Sequence, residues 1–244
     1  MDSGNQRSTA RYAIYFAPGA SSPLHDFGSR WLGRDAITGQ DMAGYSVAGF
    51  STARARELTE APRHYGFHAT LKPPFHLANG AQPDELFVAV RSLASEIAPF
   101  SLKALELRWL STFLALVPSE HSTQLSYLAD ECVRRFDGFR EPPSEEELAK
   151  RRSAGLTCNQ LGLLERWGYP YVMEEFRFHM SLTGPMRDAQ EKDRIFSAAE
   201  VLTCSHRRSP LEITSVCVFK QESRETHFFL AQRFKLLGCK SDRR

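Results

Sequence analysis

One short pattern occurs twice in this chain, and this repetition constrains the fold more than any other feature of the sequence. GFHATLKPPF at 66–75 and RFHMSLTGPM at 177–186 share Phe-His, a one-residue spacer, a hydroxyl residue and Leu. His68 and His179 lie 111 positions apart, and this offset aligns about forty residues without a gap. Because chance rarely produces an alignment of that length, the sequence predicts an internal duplication.

Each copy is predicted to contain a strand, a helix and two further strands. Alternation of apolar and polar residues predicts a strand over 63–71, and apolar residues at helical spacing predict a helix that begins at Pro83. The remaining predicted elements of the copies are strands over 100–109, 113–117, 176–183, 211–219 and 226–234 and a helix over 191–202.

The segments outside these units are also assigned from their patterns. RYAIYFAP is predicted as a strand, and the Gly/Ser/Pro-rich stretch after it as a loop with one short helix. A helix is predicted over 122–136 and a pair of helices over 145–167, with a break near 155–157.

Composition excludes several classes of protein. The 244 residues carry a net charge of +2, which gives little reason to expect wrapping by nucleic acid or attraction to a membrane surface. The N-terminal residues lack an apolar signal region, and no apolar run reaches the length of a membrane span. The five cysteines are odd in number and have no C-x-x-C spacing. These features predict a cytoplasmic protein with reduced thiols and no membrane partner.

The repeated strand places polar side chains together. Residues two apart on a strand share a face, so His68 lies beside Thr70, and His179 beside Ser181. The opposite face is apolar in both copies and is expected to face the core. If the copies pack about a pseudo-twofold axis, the two imidazoles and two hydroxyls converge on one site.

Such a site suits cleavage of a phosphodiester without a metal ion. One neutral imidazole takes a proton from water, and a protonated imidazole supplies a proton to the leaving oxygen. The hydroxyls donate hydrogen bonds to phosphoryl oxygens as charge develops. His68, Thr70, His179 and Ser181 are therefore the candidate catalytic residues.

Other interpretations remain open beside this one. A histidine on a strand among aromatic residues is often structural. A metal site formed by His64 and His68 is disfavoured because a strand separates them by about 13 Å. The chain contains no G-x-S-x-G, no H-E-x-x-H and no ordered phosphate loop in WLGRDAITG. We therefore expect no metal and no cofactor.

Three further residues are candidates for binding substrate. Lys72 is predicted to continue the face of His68 and Thr70, and Arg177 precedes His179. Tyr15 lies on the less apolar side of the first strand. Each of the three could bind a phosphate or a sugar hydroxyl, or else be a solvated or partly buried side chain.

The two H-x-[TS] motifs resemble those of the 2H phosphoesterase superfamily. RYAIYFAPG, WLGRDAITG, RHYGFHATLKPPF and RWGYPYVMEEFRFHMSLTG are similar to its branch that accompanies phosphonate-utilisation genes, and this similarity extends from about residue 11 to 237. The resemblance implies an α+β, internally duplicated bilobal fold, with two antiparallel sheets flanking a central cleft and helices outside. It also implies a single domain over 11–237, with halves of about 11–118 and 119–237, between a disordered tail at 1–10 and a C-terminal tail at 238–244.

The resemblance further implies a metal-independent cyclic phosphodiesterase. Its branch points to a small ribose cyclic phosphate, such as phosphoribosyl 1,2-cyclic phosphate, as the small-molecule partner. One alternative is an enzyme of RNA ends, either a 2′,3′-cyclic phosphodiesterase or a 2′–5′ ligase, which the near-neutral charge does not favour. A second alternative is a non-catalytic nucleotide-binding module. Which histidine is the base, and the oligomeric state, stay open.

Overall fold

An antiparallel sheet forms the centre of the structure, a computed structural model that describes residues 9–153 and 155–239. The strands of the described residues are β1 (Arg11–Phe16), β2 (Ala69–His76), β3 (Phe100–Leu102), β4 (Leu105–Leu110), β5 (Phe113–Pro118), β6 (Met180–Ser181), β7 (Leu211–Ile213), β8 (Ser215–Gln221) and β9 (Phe229–Lys235). Seven of them form one sheet in the order β4-β5-β6-β2-β1-β8-β9, and β3 pairs with β7 separately.

The seven-stranded sheet consists of two parts that meet at one residue pair. Strands β4, β5 and β6 form one part, and β2, β1, β8 and β9 form the other. The two parts are joined where Ala69 of β2 pairs with Met180 of β6. Each part therefore combines strands from both copies of the repeat. The predicted α+β class with antiparallel sheets is confirmed.

The register of the strands reflects the repeat. Ala69 and Met180 are 111 positions apart and face each other in the β2–β6 pair. Ser101 and Glu212 are also 111 positions apart and face each other in the β3–β7 pair. Equivalent residues of two copies pair with each other in antiparallel strands only on a twofold axis. A pseudo-twofold axis therefore passes through both pairs, while the boundaries of the halves and of the single domain stay a prediction.

Helices cover the sheets and begin at polar capping residues. They are α1 (Pro23–Leu32), α2 (Thr52–Tyr65), α3 (Pro83–Glu96), α4 (Thr123–Arg135), α5 (Glu145–Arg152), α6 (Cys158–Trp167) and α7 (Ala189–Arg208). The side chains of Ser22, Ser122 and Thr157 accept hydrogen bonds from backbone amides in the first turns of α1, α4 and α6. The predicted helices at Pro83, over 122–136 and over 145–167, and the single helix in the Gly/Ser/Pro-rich segment, are confirmed.

The predicted strand over 63–71 is wrong in its first part. Residues 63–65 belong to the C-terminal turn of α2, whose N-terminus is capped by Ser51. The helix ends at Gly66, whose φ of 80° suits glycine, and the strand begins only at Ala69. A run of alternating apolar residues this short is compatible with a strand or with a turn of helix. Helix α2 was not predicted from the sequence.

Other boundaries also differ from the prediction. The run over 100–109 is divided into β3 and β4, and the strand predicted over 176–183 is reduced to Met180–Ser181. The strand predicted over 211–219 is likewise divided into β7 and β8, and the last strand begins at Phe229 rather than at 226. Helix α7 extends to Arg208, six residues beyond its predicted end at Leu202.

The apolar side of each repeated strand is buried, as predicted. Phe67, Ala69 and Leu71 of the first copy are at most 4% exposed, and their counterparts in the second copy are also buried. Gly28 in α1 lies directly against Phe67, because a Cβ atom on Gly28 would be 2.0 Å from that ring. The close approach of α1 fixes the residue immediately before His68.

The predicted tails fall largely outside the described residues. Residues 1–8 and 240–244 are not described, whereas Ala10 is buried and Gly238 and Cys239 donate backbone hydrogen bonds to Ile97 and Ser95. Among the described residues, no helix combines the length and apolar character that crossing a bilayer requires.

Candidate functional site

The four predicted catalytic side chains lie on one face where β2 and β6 meet. Extending the Ala69–Met180 register by one residue each way sets His68 opposite Ser181 and Thr70 opposite His179. The two histidines are then diagonal neighbours, and such Cβ atoms lie about 7–8 Å apart. The strand face that the sequence predicts is therefore shared by both copies.

The imidazole of His68 is held at both nitrogens. Its Nδ1 lies 2.9 Å from the carbonyl oxygen of Gly66, and its Nε2 lies 3.2 Å from Oγ1 of Thr70. A carbonyl oxygen only accepts hydrogen bonds, so Nδ1 carries the proton in the neutral ring. Nε2 is consequently the acceptor and receives the Thr70 hydroxyl.

His179 has the same anchor. Its Nδ1 lies 2.7 Å from the carbonyl oxygen of Arg177. Arg177 is 111 positions after Gly66, so the two anchoring carbonyls are equivalent in the repeat. The ring of Phe113 lies 5.6 Å from the His179 ring. In both copies the same backbone contact leaves Nε2 as the basic nitrogen of the neutral ring.

Burial makes both histidines weaker bases than usual. It lowers the pKa of His68 to about 4, and the nearby charge of His179 acts in the same direction. The hydrogen bond to Gly66 opposes this effect but does not outweigh it. The pKa of His179 is also lowered by burial, against its hydrogen bond to Arg177. His68 is therefore neutral near pH 7 and available to accept a proton.

A cluster of aromatic rings packs against the imidazole of His68. The ring of Tyr15 stacks on the imidazole with centroids 3.8 Å apart, and Phe219 and Tyr65 lie 6.2 and 6.0 Å from it. Phe228 in turn lies 6.3 Å from Tyr15. These four rings, which we call the aromatic floor, continue the site along β1 and β8.

Of the three residues predicted to bind substrate, Tyr15 lies next to His68 in the site. It is 1% exposed and pairs with Thr70 in the β1–β2 register. Burial raises the pKa of its phenol well above the ordinary value, so the hydroxyl stays protonated. Its ring orients His68, and a contact of Tyr15 with substrate stays a prediction.

Lys72 does not continue the face of His68 and Thr70. The β1–β2 register changes between Thr70 and Lys72, because Tyr15 pairs with Thr70 and Ile14 with Lys72. Leu71 is therefore the extra residue of a bulge, which turns Lys72 to the opposite face. Its Nζ lies 3.3 Å from both the carbonyl of Val133 and Oδ1 of Asp137.

The side chain of Arg177 is exposed, and its backbone carbonyl is the part that contacts His179. His64 belongs to α2, where its Nε2 lies 2.8 Å from the Gln221 amide nitrogen. The strand geometry assumed for His64 and His68 therefore does not apply. Within 9–153 and 155–239, no group of three His, Cys, Asp or Glu side chains is placed to hold a metal ion.

Several parts of the site were not predicted from the sequence. The carbonyls of Gly66 and Arg177 have no side-chain signature, although both lie two residues before a motif histidine. Phe219 and Phe228 come from β8 and the segment before β9, far from either motif. Only the tertiary pairing of β1 with both β2 and β8 brings these rings beside His68.

Two curated relatives are similar to this chain in sequence, one over nearly all of it and the other over about three quarters. One, from Janthinobacterium sp. (strain Marseille), is named ribose 1,5-bisphosphate phosphokinase PhnN and is 37% identical over 238 residues, 96% of this chain and 52% of the relative. Another of that name, from Laribacter hongkongensis (strain HLHK9), is 39% identical over 176 residues, 72% of this chain and 40% of the relative. The chain thus spans about half or less of the length of these relatives.

Three solved structures are similar to this chain, and each alignment spans 93% of this chain and 98% of the solved chain. They are a phosphoesterase (14% identity, TM-score 0.39), E. coli LigT complexed with 3′-AMP (12%, 0.39) and TT0787 of Thermus thermophilus (12%, 0.44). Similarity at these TM-scores does not indicate what this chain binds.

The fold places the two H-x-[TS] motifs side by side on equivalent residues, as the resemblance to the 2H phosphoesterases implies. Residues 70–229, more than half of the chain, match the family described as "Protein of unknown function (DUF1045)". This matched region contains Thr70 and the whole second motif. The chain belongs to the DUF1045 family.

Proposed function

We propose that the chain is a metal-independent phosphodiesterase that hydrolyses a small ribose cyclic phosphate. The observation that carries this proposal is the common anchoring of His68 and His179. Each Nδ1 donates to the carbonyl two residues earlier, and each Nε2 is left for proton transfer on one sheet face. Two imidazoles so arranged supply both a base and an acid without a metal ion.

In the proposed reaction His68 is the base and His179 the acid. Nε2 of neutral His68 takes a proton from water while the water oxygen forms a bond to phosphorus. The phosphorus–oxygen bond of the ring breaks, and protonated His179 gives its Nε2 proton to the departing ribose oxygen. The product is a phosphate monoester with a free hydroxyl. The low pKa of His68, about 4, favours its assignment as the base.

The hydroxyls of Thr70 and Ser181 stabilise the charge that develops on the phosphoryl oxygens. In the same four-residue arrangement, Ser181 lies directly opposite His68, and Thr70 lies directly opposite His179. Loss of one such donor from a preorganised site commonly slows a reaction by about 10²–10³. Thr70 also contacts Nε2 of His68, so its hydroxyl must turn from the ring toward the phosphate when substrate binds.

The ribose part of the proposal is supported by the names of the relatives. Both are named for ribose 1,5-bisphosphate, a ribose with two phosphate groups. Their kinase activity belongs to proteins about twice as long and is not assigned to this chain. Phosphoribosyl 1,2-cyclic phosphate combines a ribose, a cyclic diester and a 5-phosphate, and we propose it as the substrate.

The test is hydrolysis of a panel of cyclic phosphates by the purified chain in excess EDTA. The panel contains ribose 1,2-cyclic phosphate, its 5-phosphate and nucleoside 2′,3′-cyclic phosphates, with the His68→Ala and His179→Ala variants as controls. We expect turnover that EDTA leaves unchanged and that both variants lose. Turnover that requires an added divalent ion, or none with any member, would contradict the proposal. Selective opening of oligoribonucleotide ends would favour the RNA alternative.

A further inference from the structure

A cavity of about 420 Å³ lies beside β2, past the residue at which β6 begins. Residues 72–76 of β2 form one wall, and residues 140–144 form another, where Glu141 donates a backbone hydrogen bond to His76. The cavity does not include His68 or His179 among its lining residues. Its volume is within the range of small-molecule pockets, about 300–1,000 Å³.

The lining of this cavity is strongly cationic. Two carboxylates, Glu141 and Glu147, face a larger set of basic side chains. That set is Arg11, Lys72, Arg140, Arg151 and Arg224. In a chain with a net charge of only +2, such an excess at one place is a local property and not a consequence of composition. It favours a ligand with more than one negative charge.

Some of these cations are already bound to protein groups. Lys72 and Arg140 both contact Asp137, and Arg151 donates to the carbonyl of Gly168.

Two arginines retain most of their donors. Arg11 uses Nε to contact Gln221 at 2.7 Å, and its two Nη groups have no hydrogen-bond partner among the described residues. Arg224 is 67% exposed and contacts Glu147 through Nη2 at 3.2 Å. Because a guanidinium has five N–H donors, Arg11 and Arg224 can still bind an anion in the cavity.

The aromatic floor connects this cavity to the histidines. Arg11 and Tyr15 lie four residues apart on the same strand face, about 13 Å along β1. The guanidinium of Arg11 lies 5.3 Å from the centre of Phe228, which belongs to the aromatic floor. Arg11 also lowers the pKa of Tyr15, against the larger effect of burial. The strand face of β1 that carries Arg11 therefore leads from the cavity toward Tyr15 and His68.

We propose that this cavity binds a phosphate monoester carried by the substrate whose cyclic phosphate lies at His68 and His179. The inference rests on the proposed function and adds a recognition element to it. Guanidinium groups bind phosphate dianions through paired N–H donors, and several of them around one cavity distinguish a dianion from a neutral sugar hydroxyl. The bound phosphate orients the ribose between the cavity and the two histidines.

The first experiment compares ribose 1,2-cyclic phosphate with its 5-phosphate. We expect wild-type kcat/KM to be at least about thirtyfold higher for the 5-phosphate, as hydrogen bonds to a charged group imply. In Arg11→Gln/Arg224→Gln this ratio should fall to about threefold or less, and in Arg224→Gln alone to an intermediate value. Arg208→Gln, a change of an exposed arginine at the end of α7, should leave the wild-type ratio. A wild-type ratio near one overturns the proposal.

A second experiment separates the cavity from catalysis. Calorimetry measures binding of ribose 5-phosphate to His68→Ala/His179→Ala, and we expect binding that is lost when Arg11→Gln and Arg224→Gln are added. Binding without any turnover in wild type would refute the proposed function and leave the phosphate site intact. Turnover with no 5-phosphate preference and no such binding would refute the site alone. A preference that grows with oligoribonucleotide length would replace the monoester by an RNA backbone.

Discussion

The ring of Tyr15 lies on the imidazole of His68, with centroids 3.8 Å apart and planes inclined by 27°. The contact joins β1 to the first motif at the register position where Tyr15 pairs with Thr70. The Tyr15 ring covers one side of the imidazole, and the Gly66 carbonyl accepts a hydrogen bond from its Nδ1. The burial that lowers the pKa of His68 is thus partly due to Tyr15.

Removal of the Tyr15 ring should therefore impair catalysis more than removal of its hydroxyl. We expect Tyr15→Leu to reduce kcat about tenfold, since a base that is not held in position loses part of its benefit. Tyr15→Phe keeps the stacked ring and should stay within about threefold of wild type, while the exposed Tyr127→Leu serves as control. Steady-state kinetics with a nucleoside 2′,3′-cyclic phosphate measures these differences. Equal losses in the Leu and Phe variants would instead assign the effect to the phenol hydroxyl.

The pH dependence of kcat/KM follows from the two lowered pKa values. Activity needs His68 neutral, so it should fall with decreasing pH only near pH 4. It also needs His179 protonated, and since burial lowers its pKa below the ordinary value of about 6.5, activity should decline as pH rises through that region. A bell-shaped profile with its maximum between about pH 4 and 6.5 is expected.

A substrate without a 5-phosphate is required for this measurement, because a monoester titrates near pH 6 and would add its own step. The Thr70→Ala variant retains both histidines and is the matched control, whose profile should keep two limbs. A profile that rises continuously from pH 5 to pH 9 would exclude these protonation states.

Lys72 and Asp137 should behave as a structural pair. Lys72 is 1% exposed, and burial lowers its pKa to about 8 despite the carboxylate of Asp137. Removing one partner leaves the other charge uncompensated, which costs about 3 kcal/mol when both groups are buried. Since Asp137 is 25% exposed, we expect Asp137→Ala to lower the free energy of unfolding by somewhat less, about 2 kcal/mol.

Lys72→Met removes the buried charge, and Asp137 stays partly exposed and paired with Arg140, so the change should cost under about 1 kcal/mol. Urea unfolding of both single variants and of the double variant measures the coupling. The double variant should be more stable than Asp137→Ala alone. If Lys72→Met is the more destabilising single change, the pair contributes net stability and this account is wrong.

The sequence predicts the repeated strand because a period of two residues separates buried from polar positions over Phe67–Leu71 and again over Phe178–Leu182. It also predicts the four polar residues of the site, because His68 and His179 are the only histidines of the sequence that coincide when the two copies are aligned. The face on which Lys72 lies could not be predicted from the alternation of apolar and polar residues. The bulge at Leu71 depends on how β1 pairs with β2, and alternation along one strand does not encode a partner's register.

The cationic cavity was likewise not predicted, for a related reason. Arg11, Arg140 and Arg224 come from β1, the segment after α4 and the turn before β9, and each resembles a solvated arginine in the sequence. Their convergence depends on the late start of β6 at Met180, which leaves β2 without a β6 partner beyond Ala69. Strand length at this point is set by tertiary packing and not by local propensity.

If the two motifs act as one acid–base unit, His68 and His179 should not contribute independently. His68→Ala and His179→Ala should each reduce kcat by at least about 10³, because the remaining histidine then has no partner for proton transfer. The double variant should be little slower than either single one. Thr70→Ala and Ser181→Ala should cost less, about 10²-fold each, since each loses one transition-state hydrogen bond. Single-turnover kinetics, with far-UV circular dichroism as a check on folding, measures these rates. Multiplication of the two histidine effects in the double variant, or a His68→Ala rate within tenfold of wild type, would show that the repeated motif is structural.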